Sequence, residues 1–269
     1  MHALKLEEQR PRADDPPLML IPRHDRIVIP APSAPQASPC DACALATPGN
    51  LCHILFERDA SPAAATPPIS RNHQVASRRR TIYRSNDPST SVAIICDGWA
   101  CAYMSLPSGK RQILGFLLPG DLTSAAAVFQ HQSAISIEAV TDIRYCVIEK
   151  AELKLAMLDN PKIFEAFSRQ WAEREEQIGQ LATDLGHKSA EQRIARLVLG
   201  LMRRHAERNL VYEGQFDFPL RQQHIADATG LTVVHVNRVI GNMRRLGILE
   251  IKGRTLTVLS RLELEQIAQ

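Results

Sequence analysis

A chain of 269 residues exceeds one average domain, and at roughly 150 residues per domain it implies about two folded units. With 45% hydrophobic and 23% charged residues it can bury a core, which excludes a wholly disordered or fibrous protein. The formal charge of +3 names no partner, but Lys and Arg outnumber Asp and Glu from His187 onward, the cationic bias a phosphate-binding surface needs.

Twelve of the 17 prolines fall within the first 68 residues, and up to Pro39 the chain mixes Pro, Ala and charge without apolar periodicity. Residues 1–39 are therefore expected to be a disordered leader. The early apolar patch Leu18–Ile21 ends at Pro22, well short of the roughly 7–15 residues of a secretory signal. No other stretch approaches the roughly 18 unbroken apolar residues of a membrane helix. The expectation is a cytoplasmic protein with no membrane partner.

Directly after the leader, "PCDACALATPGNLC" carries Cys40, Cys43 and Cys52. In a reducing cytosol that clustering favours metal binding or redox chemistry over a stapling disulfide. Any one of these thiols, taken singly, is equally at home as a buried apolar residue. From Thr81 to about Glu149, β-rich runs such as "SVAIICDG", "RQILGFLLPGD" and "IRYCVIEK" recur between turn signals. Compact strands at this spacing predict a small β-roll, so residues 40–150 form a cysteine arm and an all-β sensor domain. Cys96 and Cys101, in strand-like sequence, read as packing, the alternative for Cys96 being a ligand in place of one of the other thiols.

At Ala151 the period changes to helical, with Pro161 where one helix ends and the next begins. Phe164, Phe167, Trp171, Arg174, Ile178, Leu181 and Leu185 follow at alternating steps of three and four, the a/d spacing of a coiled-coil seam. Residues 151–186 are therefore expected to be a dimerisation helix region, with packing on the chain's own β-domain as the competing use of the stripe.

The last segment, residues 187–269, has helix-turn-helix grammar. Ile225 and Ala226 point inward, Gly230 makes the turn, and Thr232 caps a second helix. That helix packs Val233, Val236, Val239 and Ile240 and exposes Val234, His235, Asn237, Arg238 and Asn242. The runs "ILEIKG" and "TLTVLS" follow as a hairpin wing, so the expected class is α+β: a β-roll, a long helix and a winged helix-turn-helix. No Gly-x-Ser-x-Gly, His-Glu-x-x-His or P-loop pattern occurs, and no enzyme is expected.

The order cysteine arm, β-roll with "LLPGDL", dimer helix and "GLTVVHVNRVIGNMRRLGIL" resembles the family of the cyclic-AMP receptor protein and the fumarate and nitrate reduction regulator, CRP/FNR, over about residues 40–269. The resemblance implies a cytoplasmic homodimeric transcription regulator that binds palindromic promoter DNA, with RNA polymerase as a partner. Cyclic-nucleotide binders of the family hold the phosphate with a Gly-Glu pair and a following arginine. Here Gly120 and Asp121 stand with Ser133 at the arginine's place, so no cyclic nucleotide is expected. The resemblance to the FNR branch implies a [4Fe–4S] cluster on Cys40, Cys43, Cys52 and Cys146, although eight residues separate Cys43 from Cys52, more than is usual in that branch. Zinc on four thiolates fits the long gap to Cys146 less well, and regulators responding to thiol oxidation, nitric oxide or haem are the alternatives.

For DNA, the family pattern Glu-x-x-(Ser or Gly)-Arg transfers only at Arg238, since Val234 and Asn237 occupy the other places. Arg238 is the expected reader of guanine, with Asn237 or His235 on an adjacent base edge and Val234 either against a thymine methyl or packed. Thr232 belongs to the same helix start, and Arg221, Arg244 and Arg245 are expected phosphate neighbours.

Overall fold

The computed structural model describes residues 50–56 and 69–269. The leader and the first two cysteines, Cys40 and Cys43, lie outside the described residues. All described residues belong to one unit by their contacts.

The apolar run at Val92 to Ile95 is buried throughout, as a strand covered on both faces must be. It belongs to β3 (Ser91–Asp97), one of seven antiparallel strands with β1 (Asn72–Ala76), β2 (Thr81–Tyr83), β4 (Ala100–Ser105), β5 (Arg111–Leu117), β6 (Ser136–Ala139) and β7 (Ile143–Glu149). They form two sheets, ordered β1-β7-β3 and β2-β6-β4-β5. The β-roll expected from the sequence is present, with β1 added. That strand exposes most of its side chains and so has no apolar alternation to announce it. A short helix α1 (Leu51–Phe56) buries Leu51 and Leu55 against the roll.

β7 runs directly into α2 (Lys150–Asp159), and α3 (Pro161–His187) starts at once, capped by Asn160, whose side chain accepts from the Lys162 amide, with Pro161 at its first position. Twenty-seven residues make a helix about 40 Å long. Only its first turns are buried, through Ile163, Ala166 and Phe167. Phe167 is 1% exposed and sits in the chain's own core, which corrects its assignment to the dimer seam: the stripe serves two masters. Phe164, Trp171 and Ile178 remain exposed along the helix, while Arg174, Leu181 and Leu185 are half-buried.

A capping box separates α3 from α4 (Ala190–Ala206): Ser189 Oγ accepts from Gln192 N at 3.2 Å and Gln192 Oε1 accepts from Ser189 N at 2.7 Å. Then come β8 (Gln215–Asp217), α5 (Gln222–Thr229), α6 (Val233–Arg245), β9 (Leu249–Lys252), β10 (Thr255–Val258) and α7 (Arg261–Ala268), with a sheet ordered β8-β10-β9. The wing is therefore three-stranded, and the closing helix α7 packs on α4.

The helix break near residue 187 is not a gap in the core. One apolar cluster runs from Trp99, Phe116 and Leu118 of the roll through Ile194, Val198 and Leu201 of α4 to Phe216, Phe218 and Val236. His205 lies at its centre, 5.1 Å from the Trp99 ring and 5.0 Å from Phe216. Burial keeps the His205 imidazole more acidic than usual. The effect is larger for His224 in α5, where burial, followed by the charge of Arg111, pushes the pKa down to about 4 while Nδ1 accepts from the Arg221 amide at 3.2 Å. The unfolded chain, with histidines near pKa 6.5, then takes up protons before the folded one. Stability is full above about pH 6.5 and is lost as pH falls towards 4. Urea midpoints measured across that window should fall, and His224→Gln should flatten the slope.

Candidate nucleic-acid interface

The turn between α5 and α6 needs glycine twice over. Gly230 holds φ +66°, and a Cβ there would stand 2.7 Å from Leu185 Cδ2. Thr232 then caps α6, its hydroxyl accepting from the His235 amide at 3.2 Å. With its start fixed, α6 buries Val236, Val239 and Met243, one helical stripe, and turns the opposite face to solvent. Val234 is 79% exposed, which removes packing as its role.

The exposed face is ordered by polar contacts. Arg238 Nη2 lies 2.8 Å from His235 Nε2, one turn away on the same face. Asn237 Oδ1 accepts from Gln222 Nε2 at 2.6 Å, which ties the face of α6 to the start of α5. Asn242 Oδ1 accepts from Arg245 at 2.7 Å. Arg221, Arg238, Arg244 and Arg245 are all exposed. An exposed helix of this kind, with bidentate donors on one face and cations at its flanks, has the shape and chemistry to enter a major groove. Sequence reasoning singled out all of these except Gln222, whose contact with Asn237 crosses from one helix to the other.

What places this helix on the molecule is a set of ionic contacts that the sequence did not reveal. Asp121, in the "PGD" turn after β5, accepts from Arg208 Nη2 at 2.7 Å, from Arg204 at very close range, and from the Leu118 amide at 2.7 Å. Arg204 also donates to Phe116 O at 2.7 Å and Arg208 to Pro119 O at 3.0 Å. Arg204 lies in the last turn of α4 and Arg208 in the turn just after it, so the DNA-binding half is fastened to the roll at this carboxylate. Farther along β5, Arg111 bridges Glu138 of β6 at 3.0 Å and Asp227 of α5 at 2.7 Å, and Gln112 donates to Ala228 O at 3.2 Å. Arg174 of α3 lies against the backbone at Gly115, where any Cβ would collide with its guanidinium. Burial, with the charge of Arg204 added, lowers its pKa to about 10. A cleft of 490 Å³ remains between the roll and helices α3 and α4.

The described cysteines divide into two environments. Cys101 lies in the large cluster shared with the DNA-binding half, and burial pushes its thiol up to about 12, so it packs as an inert apolar group. Cys146 of β7, with no exposed surface, belongs instead to the cluster formed with Leu51, Leu55, Ile94, Ile163 and Phe167. Cys52 of α1 and Cys96 of β3 pack against the same cluster. Ile94 is the ladder partner of Cys146, and the β3 register shifts between Ile95 and Asp97, so Cys96 sits in that irregularity. Cys52, Cys96 and Cys146 thus border one apolar cluster. Among the described residues no three His, Cys, Asp or Glu side chains are assembled as a metal site.

This architecture agrees with the comparisons. Residues 74–160 match the cyclic nucleotide-binding domain and residues 192–267 the Crp-like helix-turn-helix domain. The chain belongs to the CRP/FNR family of DNA-binding transcriptional regulators. It is 27% identical over 237 residues to the nitrogen fixation regulation protein FixK of Bradyrhizobium diazoefficiens, a match covering 87% of this chain and 95% of that protein. It is 25% identical to the transcriptional regulatory protein btr of Bordetella pertussis, over 88% of this chain and 96% of the relative. Among solved structures, FixK2 from Bradyrhizobium japonicum superposes with a TM-score of 0.67 at 24% identity, over 74% of this chain and 98% of that one.

On DNA selected from a random pool by the wild-type protein, Arg238→Ala should lose about 1–3 kcal/mol of preference over a scrambled duplex. Equal weakening on both duplexes, read by fluorescence anisotropy, would count against base reading. Asp121→Ala leaves Arg204 and Arg208 facing each other without a carboxylate. It should cost roughly 1–3 kcal/mol in urea unfolding, below the figure for a fully buried pair because each partner keeps some solvent.

Proposed function

We propose that the chain acts as a homodimeric, cytoplasmic transcription activator that binds a near-palindromic promoter site and answers to oxygen or redox state through a [4Fe–4S] cluster on Cys40, Cys43, Cys52 and Cys146. The observation that carries this reading is the shared surroundings of Cys52 and Cys146, in the same apolar cluster as Ile163 and Phe167 at the base of α3. That Cys52 and Cys146 border one apolar cluster supports this reading, in which Cys40 and Cys43 would supply the remaining two of a full thiolate set. The chemistry a bound cluster supplies is reactivity towards oxygen.

This chain's own residues do the rest. A change in how Cys52 and Cys146 pack is felt by Phe167 and Ile163, and through them by the helix whose exposed Phe164, Trp171 and Ile178 form the dimer seam. A dimer sets two α6 helices one DNA turn apart, about 34 Å, so half-sites lie about 10 bp apart. Asp121, engaged by Arg204 and Arg208, leaves the reading without need of a cyclic nucleotide. Relatives support the reading: the anaerobic regulatory protein of Pasteurella multocida, 26% identical over 186 residues, for the class of signal, and the transcriptional activator protein FnrL of Cereibacter sphaeroides, 26% identical over 178, for activation. RNA polymerase is the partner an activator requires.

The test is protein purified without air, followed by an ultraviolet–visible spectrum, iron and sulfide assay, sedimentation and DNA binding before and after air is admitted. The expected outcome is about four irons per chain, a broad blue-end band that bleaches in air, and simultaneous loss of the dimer and of palindrome binding; Cys146→Ser should abolish the band. A normal cluster whose loss changes neither sedimentation nor DNA affinity would sink the sensing mechanism. Colourless protein that still binds the palindrome would remove the cluster and leave the regulator.

A further inference from the structure

Gln222 opens α5, and its place is settled before its side chain is considered. The Arg221 amide donates to Nδ1 of buried His224 at 3.2 Å, and the Ile225 amide donates to Arg221 O at 3.2 Å, which closes the first turn. Ile225, Ala226 and Ala228 then share one core with Val236 and Val239, so α5 and α6 are fixed against each other. Gln223, the next residue, donates to Asp227 Oδ1 at 2.6 Å along its own helix. Gln222 crosses instead to α6, where its Nε2 donates to Asn237 Oδ1 at 2.6 Å. The contact joins two rigid elements rather than two loose surface groups.

Asn237 is exposed on the same face of α6 as Val234 and Arg238, the face that a helix in the major groove turns to the base edges. A free asparagine is ambivalent there. Turned one way its amide offers an acceptor, and turned by half a revolution it offers donors. The bond from Gln222 removes that ambiguity. The oxygen and nitrogen of an amide lie on opposite sides of its carbon, so with Oδ1 held against α5 the N–H groups of Nδ2 face away from it. Among the described residues Nδ2 has no hydrogen-bond partner. Asn237 therefore presents an unspent donor, oriented before any ligand arrives.

We propose that Gln222 is a positioning residue for base recognition: it holds the Asn237 amide with its donors outward, so that the half-site position facing Asn237 must present an acceptor. In the major groove both purines offer N7, guanine adds O6 and thymine offers O4, whereas cytosine offers only the N4 donor. Cytosine is therefore the base rejected at that position of the contacted strand. The inference rests on the DNA-binding reading above and adds to it which base is excluded and which residue excludes it. Gln222 contributes orientation, not a contact with the base.

The test begins with a palindrome selected from a random pool by the wild-type protein. Each half-site position is changed symmetrically to every base pair, and the affinities of wild type, Asn237→Ala, Gln222→Ala and Gln222→Glu are measured on the set. Asn237→Ala locates the position facing Asn237 as the one where discrimination disappears. There the wild type should bind the cytosine duplex roughly tenfold more weakly than the best base. Gln222→Ala frees the amide and should lose most of that ratio. Gln222→Glu puts a carboxylate, which only accepts, in place of the donor. Asn237 must then turn Nδ2 towards it and Oδ1 outward, and cytosine should become the preferred base. A carboxylate near DNA also weakens binding to every duplex, but the ratio between bases cancels that loss. Unchanged ratios in Gln222→Ala overturn the proposal whether or not overall affinity falls, a uniform fall being the mark of a phosphate contact or of a merely structural role. Cytosine still rejected by Gln222→Glu overturns it too, as does an Asn237→Ala profile that matches wild type at every position. Failure of the wild type to select any palindrome would instead overturn the DNA-binding reading beneath it.

Discussion

Two guanidiniums converging on one carboxylate hold this molecule's two halves together. Asp121 is mostly shielded from solvent, and so are Arg204 and Arg208. In such surroundings the attraction is little screened, and neither charge can be withdrawn cheaply once the other is in place. The contacts from the same arginines to Phe116 O and Pro119 O fix direction as well as distance, because a guanidinium offers its donors in a rigid plane. The end of α4 is therefore placed on the roll, and α5 and α6 follow it through their shared core.

The same contact leaves the acidic group of the turn after β5 engaged by the chain's own Arg204 and Arg208. The orientation of the DNA-binding half is then an internal property, distinct from the second apolar cluster, which Cys146 joins and Cys52 and Cys96 border along with Ile163 and Phe167 of α3. Cys101 illustrates the contrast. Its environment suppresses the thiolate, and its neighbours belong to the interdomain core.

Legibility varied with the kind of signal. The helix-turn-helix was plain because its glycine, its cap and its apolar stripe are local features within a few residues of one another, and each was found in its expected place at Gly230, Thr232 and Val236. β1 and β8 were missed because each forms by pairing with a distant strand and carries no alternation of its own. The seam was read correctly as helical but not by face. A stripe at steps of three and four shows which residues share a side, and Phe167 faces inward while Trp171, one turn later, is exposed, because the roll covers only the start of α3.

From sequence alone came the class of protein: the order of parts, the recognition helix with Arg238, and the spacing of cysteines that gives the redox reading its content. These depend on short-range chemistry, on turns, caps and periodicity, which a chain carries within a few residues. Only the tertiary structure decided which charges meet. Asp121 lies 83 and 87 residues from its two arginines, and Arg111 lies 116 from Asp227. No local pattern links groups at that separation; they meet only when one core spans both halves, and that core and the ionic contacts together give the DNA-binding surface its position.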